Sequence, residues 1–319
     1  MHLKNLDASI YVAGHRGLLG RALVTKLRAS GYTNLLLRTS AELDLRCQHA
    51  VNHFFEKERP EFVILAAARV GGILANDQYP ADFLGDNLSI QNHVLDAAKN
   101  TGVKRLLFLG STCIYPREAE QPLKETALLS GPLETTNRWY AVAKIAGVVQ
   151  CQALRRQHGC DFVTVMATNL YGPGDNFDLA SSHVLPALMR KIHEAHTSSK
   201  GRISVWGSGT PRREFLYSED MADACVFVLQ TPEEELLRVA PDSMLNVGCG
   251  QDLSISDLCR LLQEVMGTDC VLDFDSSKPD GTPRKLVDVS RLTELGWTAP
   301  TSLQKGIHKT YTWYKSQCQ

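Results

Sequence analysis

The chain has 319 residues, 44% of them hydrophobic, and a formal net charge of -1, enough to bury one large core or two smaller ones. Near-neutrality leaves no basic footprint for nucleic acid or an anionic membrane, and no apolar run approaches the roughly 20 residues of a membrane span. The nine cysteines are scattered without a C-x-x-C pair, which suits reduced thiols in the cytoplasm and argues against a disulfide framework.

The opening "MHLKNLDASIYVAGHRG" runs at once into a strand and a Gly-rich turn, with no signal-peptide core, so the expected location is cytoplasmic. Five strand-like runs then follow in order, "SIYVAG", "NLLLRT", "FVILAAA", "RLLFLG" and "FVTVMATNLYG". Amphipathic periodicity predicts helices between them over 18–30, 49–58, 80–100 and 139–158. The alternation predicts an α/β fold, a Rossmann-type doubly wound parallel sheet occupying residues 1–172. Beyond Gly172 the rhythm loosens. "RISVWGSGTPRREF", "MLNVGCG" and "VLDFD" read as short strands, with helices near 182–195, 220–229 and 254–266 and a last helix ending near Trp313. Residues 173–319 are therefore expected to form mainly a smaller C-terminal α/β substrate-binding lobe, with some segments returning to the first domain.

Ligands of such a sheet bind beyond the carboxyl ends of its strands, where "GHRGLLG", "AAARVGG", "GSTCIYP" and "TNLYGPGDN" fall. Gly14, Gly17 and Gly20 form G-x-x-G-x-x-G between the first strand and first helix, with His15, Arg16, Leu18 and Leu19 in the same turn. There, backbone amides and a helix N-terminus can meet a pyrophosphate. An NAD binder would end its second strand in an acid to hold the ribose hydroxyl. This chain has Arg38, and with Arg16 it offers two guanidinium forks suited to a 2′-phosphate. The expected cofactor is NADP. Leu109, Gly110, Ser111 and Thr112 at one strand end, and Ala167, Thr168, Asn169 and Leu170 at another, complete its expected surroundings.

"WYAVAK" sets Tyr140 and Lys144 four residues apart on one helical face. The spacing alone is common. With Ser111 at an upstream strand end it becomes a reductase constellation, in which serine binds a substrate oxygen and tyrosine exchanges a proton with it. A phenol titrating near 10 must lose about 4 kcal/mol of that preference to work near pH 7, and an ammonium about 4 Å away supplies that order. "HEAH", with His193 and His196, lacks the residue that zincin spacing requires, and no metal site is expected.

"GSTCIYP", "YAVAKIAG", "TNLYGP" with "DNF" and "SSHVLPAL", "VWGSGTPRREF" and "KPDGTPRK" together resemble the GDP-L-fucose synthase family of the extended short-chain dehydrogenase/reductase superfamily, from Gly14 to about Trp313. The resemblance implies an NADPH-dependent enzyme that epimerises a GDP-4-keto-6-deoxy-mannose at carbons three and five and then reduces carbon four. It implies that Cys113 and His183 are the acid/base pair, His183 also lying beside the cofactor, and that Ser111, Tyr140 and Lys144 stabilise the enolate and serve the reduction. Lys191, Trp206, Arg213, Asp280 and Lys285 are implied to hold the GDP-sugar. A homodimer through the helices around 87–97 and 140–150 is implied as well. The residues themselves leave open a related GDP-dideoxy-ketosugar enzyme and a nonenzymatic NADP-binding regulator.

Overall fold

The computed structural model describes residues 3–198, 201–278 and 280–318. Strand β1 (Ile10–Ala13) passes through the glycine turn into α1 (Leu18–Ala29), whose Leu23 and Leu27 are buried. Next come β2 (Leu35–Leu36), α2 (Gln48–Glu58), β3 (Phe62–Leu65), α3 (Ile73–Gln78) and α4 (Pro80–Thr101). Pro80 starts α4 at a position needing no amide, and Gly102 ends it in the left-handed region at φ 74°. The chain continues through β4 (Arg105–Ser111), α5 (Arg138–His158), β5 (Phe162–Ala167), β6 (Asn169–Tyr171), α6 (Val184–Thr197), β7 (Arg202–Trp206) and β8 (Arg212–Tyr217). It closes with α7 (Ser218–Gln230), α8 (Glu233–Val239), β9 (Met244–Val247), β10 (Asp252–Ser254), α9 (Ile255–Met266), β11 (Val271–Asp275), β12 (Arg284–Lys285), α10 (Ser290–Glu294) and α11 (Leu303–Gln317).

The main sheet has the order β2-β1-β3-β4-β5-β9, with every pair parallel. Side chains alternate across it. Ile10 and Val12 join Leu23, Leu107 and Val165 on one face, while Tyr11 and Ala13 join Phe55, Leu106 and Phe108 on the other. Helices cover both faces, so its strands are continuous apolar runs. β1 and β3 lead to opposite sides in strand order and open a crevice at their carboxyl ends.

Two strand readings need correction. "FVTVMATNLYG" is not one strand: it breaks at Thr168, whose hydroxyl donates to the Glu214 carbonyl at 3.2 Å, and β6 leaves to pair with β8. "MLNVGCG" belongs to the main sheet, because β9 lies beside β5 in the register Thr164↔Met244. A short buried apolar run reads alike in either lobe, and only this pairing decides. Helix α7 likewise packs on α1.

The remaining strands form a small sheet, β10-β8-β12 with β6 on β8, and a β7–β11 pair. Helices α6, α9 and α11 supply Leu188, Ile192, Leu258, Leu262 and Ile307 to their core. Glu214, fully buried on β8, accepts the Gly250 amide at 2.7 Å and the Val287 amide at 3.0 Å. It thereby ties the small sheet to the segments that follow β9 and β12.

Candidate functional site

The glycine turn is set by contact with its own backbone. A Cβ at Gly20 would stand 2.0 Å from the Gly14 carbonyl oxygen, and one at Gly14, where φ is +83°, would stand 2.8 Å from the Ala67 amide. Gly17 differs: its φ is ordinary at -72°, and a Cβ there would meet only the Gly14 carbonyl oxygen at 3.5 Å. Nothing in the protein demands glycine at 17. Its missing side chain leaves open space beside the first amides of α1, which suits a closely approaching pyrophosphate. Arg38 at the end of the β2 segment is half-buried, paired with Glu58 at 2.9 Å and 5.6 Å from the Phe54 ring, while Arg16 is exposed. His15 keeps a buried Nδ1 without a partner. These residues fit a dinucleotide carrying an extra phosphate. Asn87 of α4, which sequence reading missed, bonds both the amide (2.9 Å) and the carbonyl (3.0 Å) of Arg69, fixing the neighbouring loop after β3.

Ser111 ends β4 beside Ala167 of β5. Its Oγ accepts the Cys113 amide at 3.4 Å and caps one 3-10 turn that carries Thr112 and Cys113 inward. Lys144 is 3% exposed; its ammonium donates to the Leu109 carbonyl at 2.8 Å and stands 5.7 Å from the Tyr140 ring centre. Burial draws it down to about 8. The sequence argument has Lys144 lowering the Tyr140 phenol, and here the structure differs: burial, with the Cys113 thiol second, pushes that phenol up. The ammonium is held on the Leu109 carbonyl. Burial of the ring outweighs what that ammonium's attraction for a phenolate supplies. A phenol in this setting holds its proton at neutral pH and can donate it.

Burial also raises the Cys113 thiol, opposed by Ser111, Lys285 and Lys144. His183 precedes the first residue of α6, in a loop docked on the β3 side through the Gly72 amide and the Ser181 carbonyl at 3.3 Å. Its ring touches solvent, yet enough protein surrounds it that burial holds the imidazole below its usual value. No hydrogen bond joins it to Cys113.

The five substrate candidates divide into two groups. Lys191 donates to the Ser204 carbonyl at 2.9 Å and lies 5.8 Å from the Trp206 ring centre, whose residue is 49% exposed. Asp280 accepts the Ser208 amide at 2.7 Å and hydroxyl at 2.9 Å, and its carbonyl accepts Arg213 at 3.4 Å. Lys285 instead lies inside, opposite Arg213 in the β12–β8 register, where burial lowers its ammonium and the Cys113 and Glu134 charges oppose that. Cys113, Glu134 and Lys285 line one small cavity. Glu134 was not found from sequence: it is an isolated acid in "GPLETTN", with no spacing relation to mark it. A concavity of about 540 Å³, lined by Pro122, Gly250, Val289 and Glu294 among others, contains none of the candidates.

The family model described as the NAD dependent epimerase/dehydratase family matches residues 10–248. The chain is 54% identical over 317 residues to GDP-L-fucose synthase 1 of Arabidopsis thaliana, covering 99% of this chain and 96% of that protein. It is 49% identical to GDP-L-fucose synthase of Escherichia coli, covering 96% of each. Among solved structures it resembles MlghC, a GDP-mannoheptose C4 reductase from Campylobacter jejuni with NADP bound. The TM-score there is 0.90 at 37% identity, covering 98% of this chain and 100% of that one.

Proposed function

The chain belongs to the NAD dependent epimerase/dehydratase family, and from that premise we propose that it converts GDP-4-keto-6-deoxy-D-mannose to GDP-L-fucose, by epimerisation at carbons three and five and reduction at carbon four. It is an NADP-dependent enzyme, and full-length relatives in plants and bacteria carry the GDP-L-fucose synthase name. The observation that carries the reading is the pairing of Ser111 with a buried Cys113 at the end of β4. A simple reductase needs the serine and has no use for the thiol.

Gly14, Gly17 and Gly20 with the α1 amides would hold the pyrophosphate, and Arg16 and Arg38 the 2′-phosphate. Bound NADPH supplies the hydride for carbon four. The protein's own part begins with the ketone, which acidifies the hydrogens on carbons three and five. Ser111 and Tyr140 donate hydrogen bonds to the ketone oxygen and stabilise its enolate form. Cys113 and His183 serve opposite faces of the ring, one removing a proton and the other delivering one. Once both carbons are inverted, Tyr140 gives its phenolic proton to oxygen four, and the Lys144 ammonium stabilises the phenolate left behind. Arg213 and Lys285 neutralise the diphosphate, with Lys191, Trp206 and Asp280 on the outer rim.

The first 172 residues form the cofactor domain in this reading, joined by α7 and β9, and the other later segments form the substrate lobe. Helices α4 and α5 pack side by side, and α5 presents Val142 and Val149 outward at 44% and 42% exposure. Their spacing of two helical turns suits a homodimer seam. Nine cysteines, all unpaired, fit the cytoplasm.

The test is incubation in heavy water with NADPH and the ketosugar. Tyr140→Phe should lower NADPH oxidation about a hundredfold or more while retaining some deuterium exchange. Cys113→Ala should stop exchange at the carbon it serves, and any sugar reduced should keep its configuration there. If Cys113→Ala exchanges and inverts both carbons at the normal rate, the thiol is packing and the epimerase reading fails.

A further inference from the structure

An inversion carried out by two residues on opposite faces leaves one with an extra proton and the other short of one. In a D-manno chair the hydrogens of carbons three and five lie on the same face, so both inversions run in the same direction through the same pair. Cys113 must therefore be reset between them. It is 5% exposed, on a turn whose three residues are all buried.

The small cavity beside it supplies a route. Cys113, Glu134, Lys285, Arg117, Gln121 and Thr112 line it, and it opens about 10 Å³ to the centre of a water molecule, room for one water. Glu134 is 7% exposed and its Oε2 has no hydrogen-bond partner. A buried carboxylate oxygen is rarely left so. The nearest cation is the Arg117 Nε at 3.5 Å, on a side chain 45% exposed, so the far end of Glu134 lies close to solvent.

We propose that Glu134 is a positioning residue that resets Cys113 through a water in this cavity, a proposal that rests on the acid/base pair assigned above. When Cys113 ends an inversion protonated, its S–H bond breaks and the proton passes to the water. The water releases one of its own protons to Glu134 Oε2, leaving a thiolate and a carboxyl group. When Cys113 ends as the thiolate, the same path runs in reverse. Glu134 then exchanges with solvent beside Arg117. No electrons are transferred to or from the protein.

The test compares the native protein with Glu134→Gln, which keeps shape and removes the proton-accepting oxygen, using the GDP-ketosugar in heavy water with NMR of the product. Expected, in a single turnover with enzyme in excess of the sugar, are NADPH affinity within about twofold of native, deuterium entry at the first carbon near the native rate, and inversion of the second slowed about tenfold or more. A sugar inverted at one carbon should accumulate. Glu134→Ala should show the same defect, and added formate, filling the vacated space as a carboxylate, should restore the second inversion. Should Glu134→Gln lose NADPH binding, the formate rescue decides. Native rates at both carbons, equal loss at both with NADPH binding intact, or absence of formate rescue each overturns the relay. Absence of any inversion by the native protein would instead overturn the function on which it rests.

Discussion

Replacing Lys144 with methionine should stabilise the protein at neutral pH while removing the reduction. The ammonium is 3% exposed, and burial draws it from an ordinary 10.5 to about 8. Below pH 8 the lysine is charged in both the folded and unfolded chain, and folding carries the full penalty of burying it. The difference of 2.5 units between 10.5 and 8, at 1.36 kcal/mol each, makes that penalty about 3 kcal/mol. Between pH 8 and 10.5 the unfolded chain holds the proton and the folded one does not, so native stability from this group rises with pH, and above 10.5 the penalty is gone. The lowering from 10.5 to about 8 already contains the charged form's interactions, so against it the methionine variant loses only what a neutral amine would give the Leu109 carbonyl, about 1 kcal/mol.

Lys144→Met should thus be more stable than native by about 2 kcal/mol at pH 7 and less stable by about 1 kcal/mol above pH 10.5. Urea unfolding of both proteins at pH 7, 9 and 10.5 measures it, since groups common to the two cancel in the difference. A stability difference that stays constant across that range would refute the reasoning. An enzyme that keeps a destabilising cation at its centre is giving up stability for chemistry.

The two kinds of glycine in the phosphate turn should separate by mutation. Gly20→Ala places a methyl 2.0 Å from the Gly14 carbonyl oxygen and should destabilise by about 1–3 kcal/mol; Gly17→Ala should fold as well as native and lose NADPH affinity, and undiminished NADPH binding in titrations would remove the pyrophosphate from that space. Arg38→Ala should raise the KM for NADPH roughly tenfold to a hundredfold, by loss of a charge-assisted contact of about 1.5–3 kcal/mol, with little change for NADH. Equal change for both cofactors in steady-state assays would reduce Arg38 to its pairing with Glu58. Arg213→Ala should raise the KM for the GDP-sugar and leave the NADPH constant alone; an unaltered sugar KM would mean that it serves only to hold the Asp280 loop.

What could be read from the sequence is the chemistry that repeats within one turn or one helix. Gly14 and Gly20 constrain each other across six residues, and Tyr140 and Lys144 share a face because they are one helical turn apart, so both motifs carry their geometry with them. Their electrostatics do not travel the same way: the fate of the Lys144 ammonium depends on the Leu109 carbonyl of a strand far off in sequence, so the helix spacing alone does not show which way the Tyr140 phenol shifts. The basic pairs Arg212–Arg213 and Arg284–Lys285 make the same point from the other side. Each is two adjacent cations with nothing to say which one faces the ligand. β8 and β12 pair in parallel as Arg212↔Arg284 and Arg213↔Lys285, and strand alternation then sends the first of each pair one way and the second the other. Arg212 and Arg284 meet Asp252, at 2.9 Å and 2.5 Å, while Arg213 and Lys285 both feel the Glu134 charge and Lys285, with an edge of Arg284, lines the Cys113 cavity. A register shift of one residue would exchange the two sets. Which cation of each pair meets Asp252 and which meets the Glu134 charge is therefore a property of the pairing of two strands, which the residue types of each pair do not show.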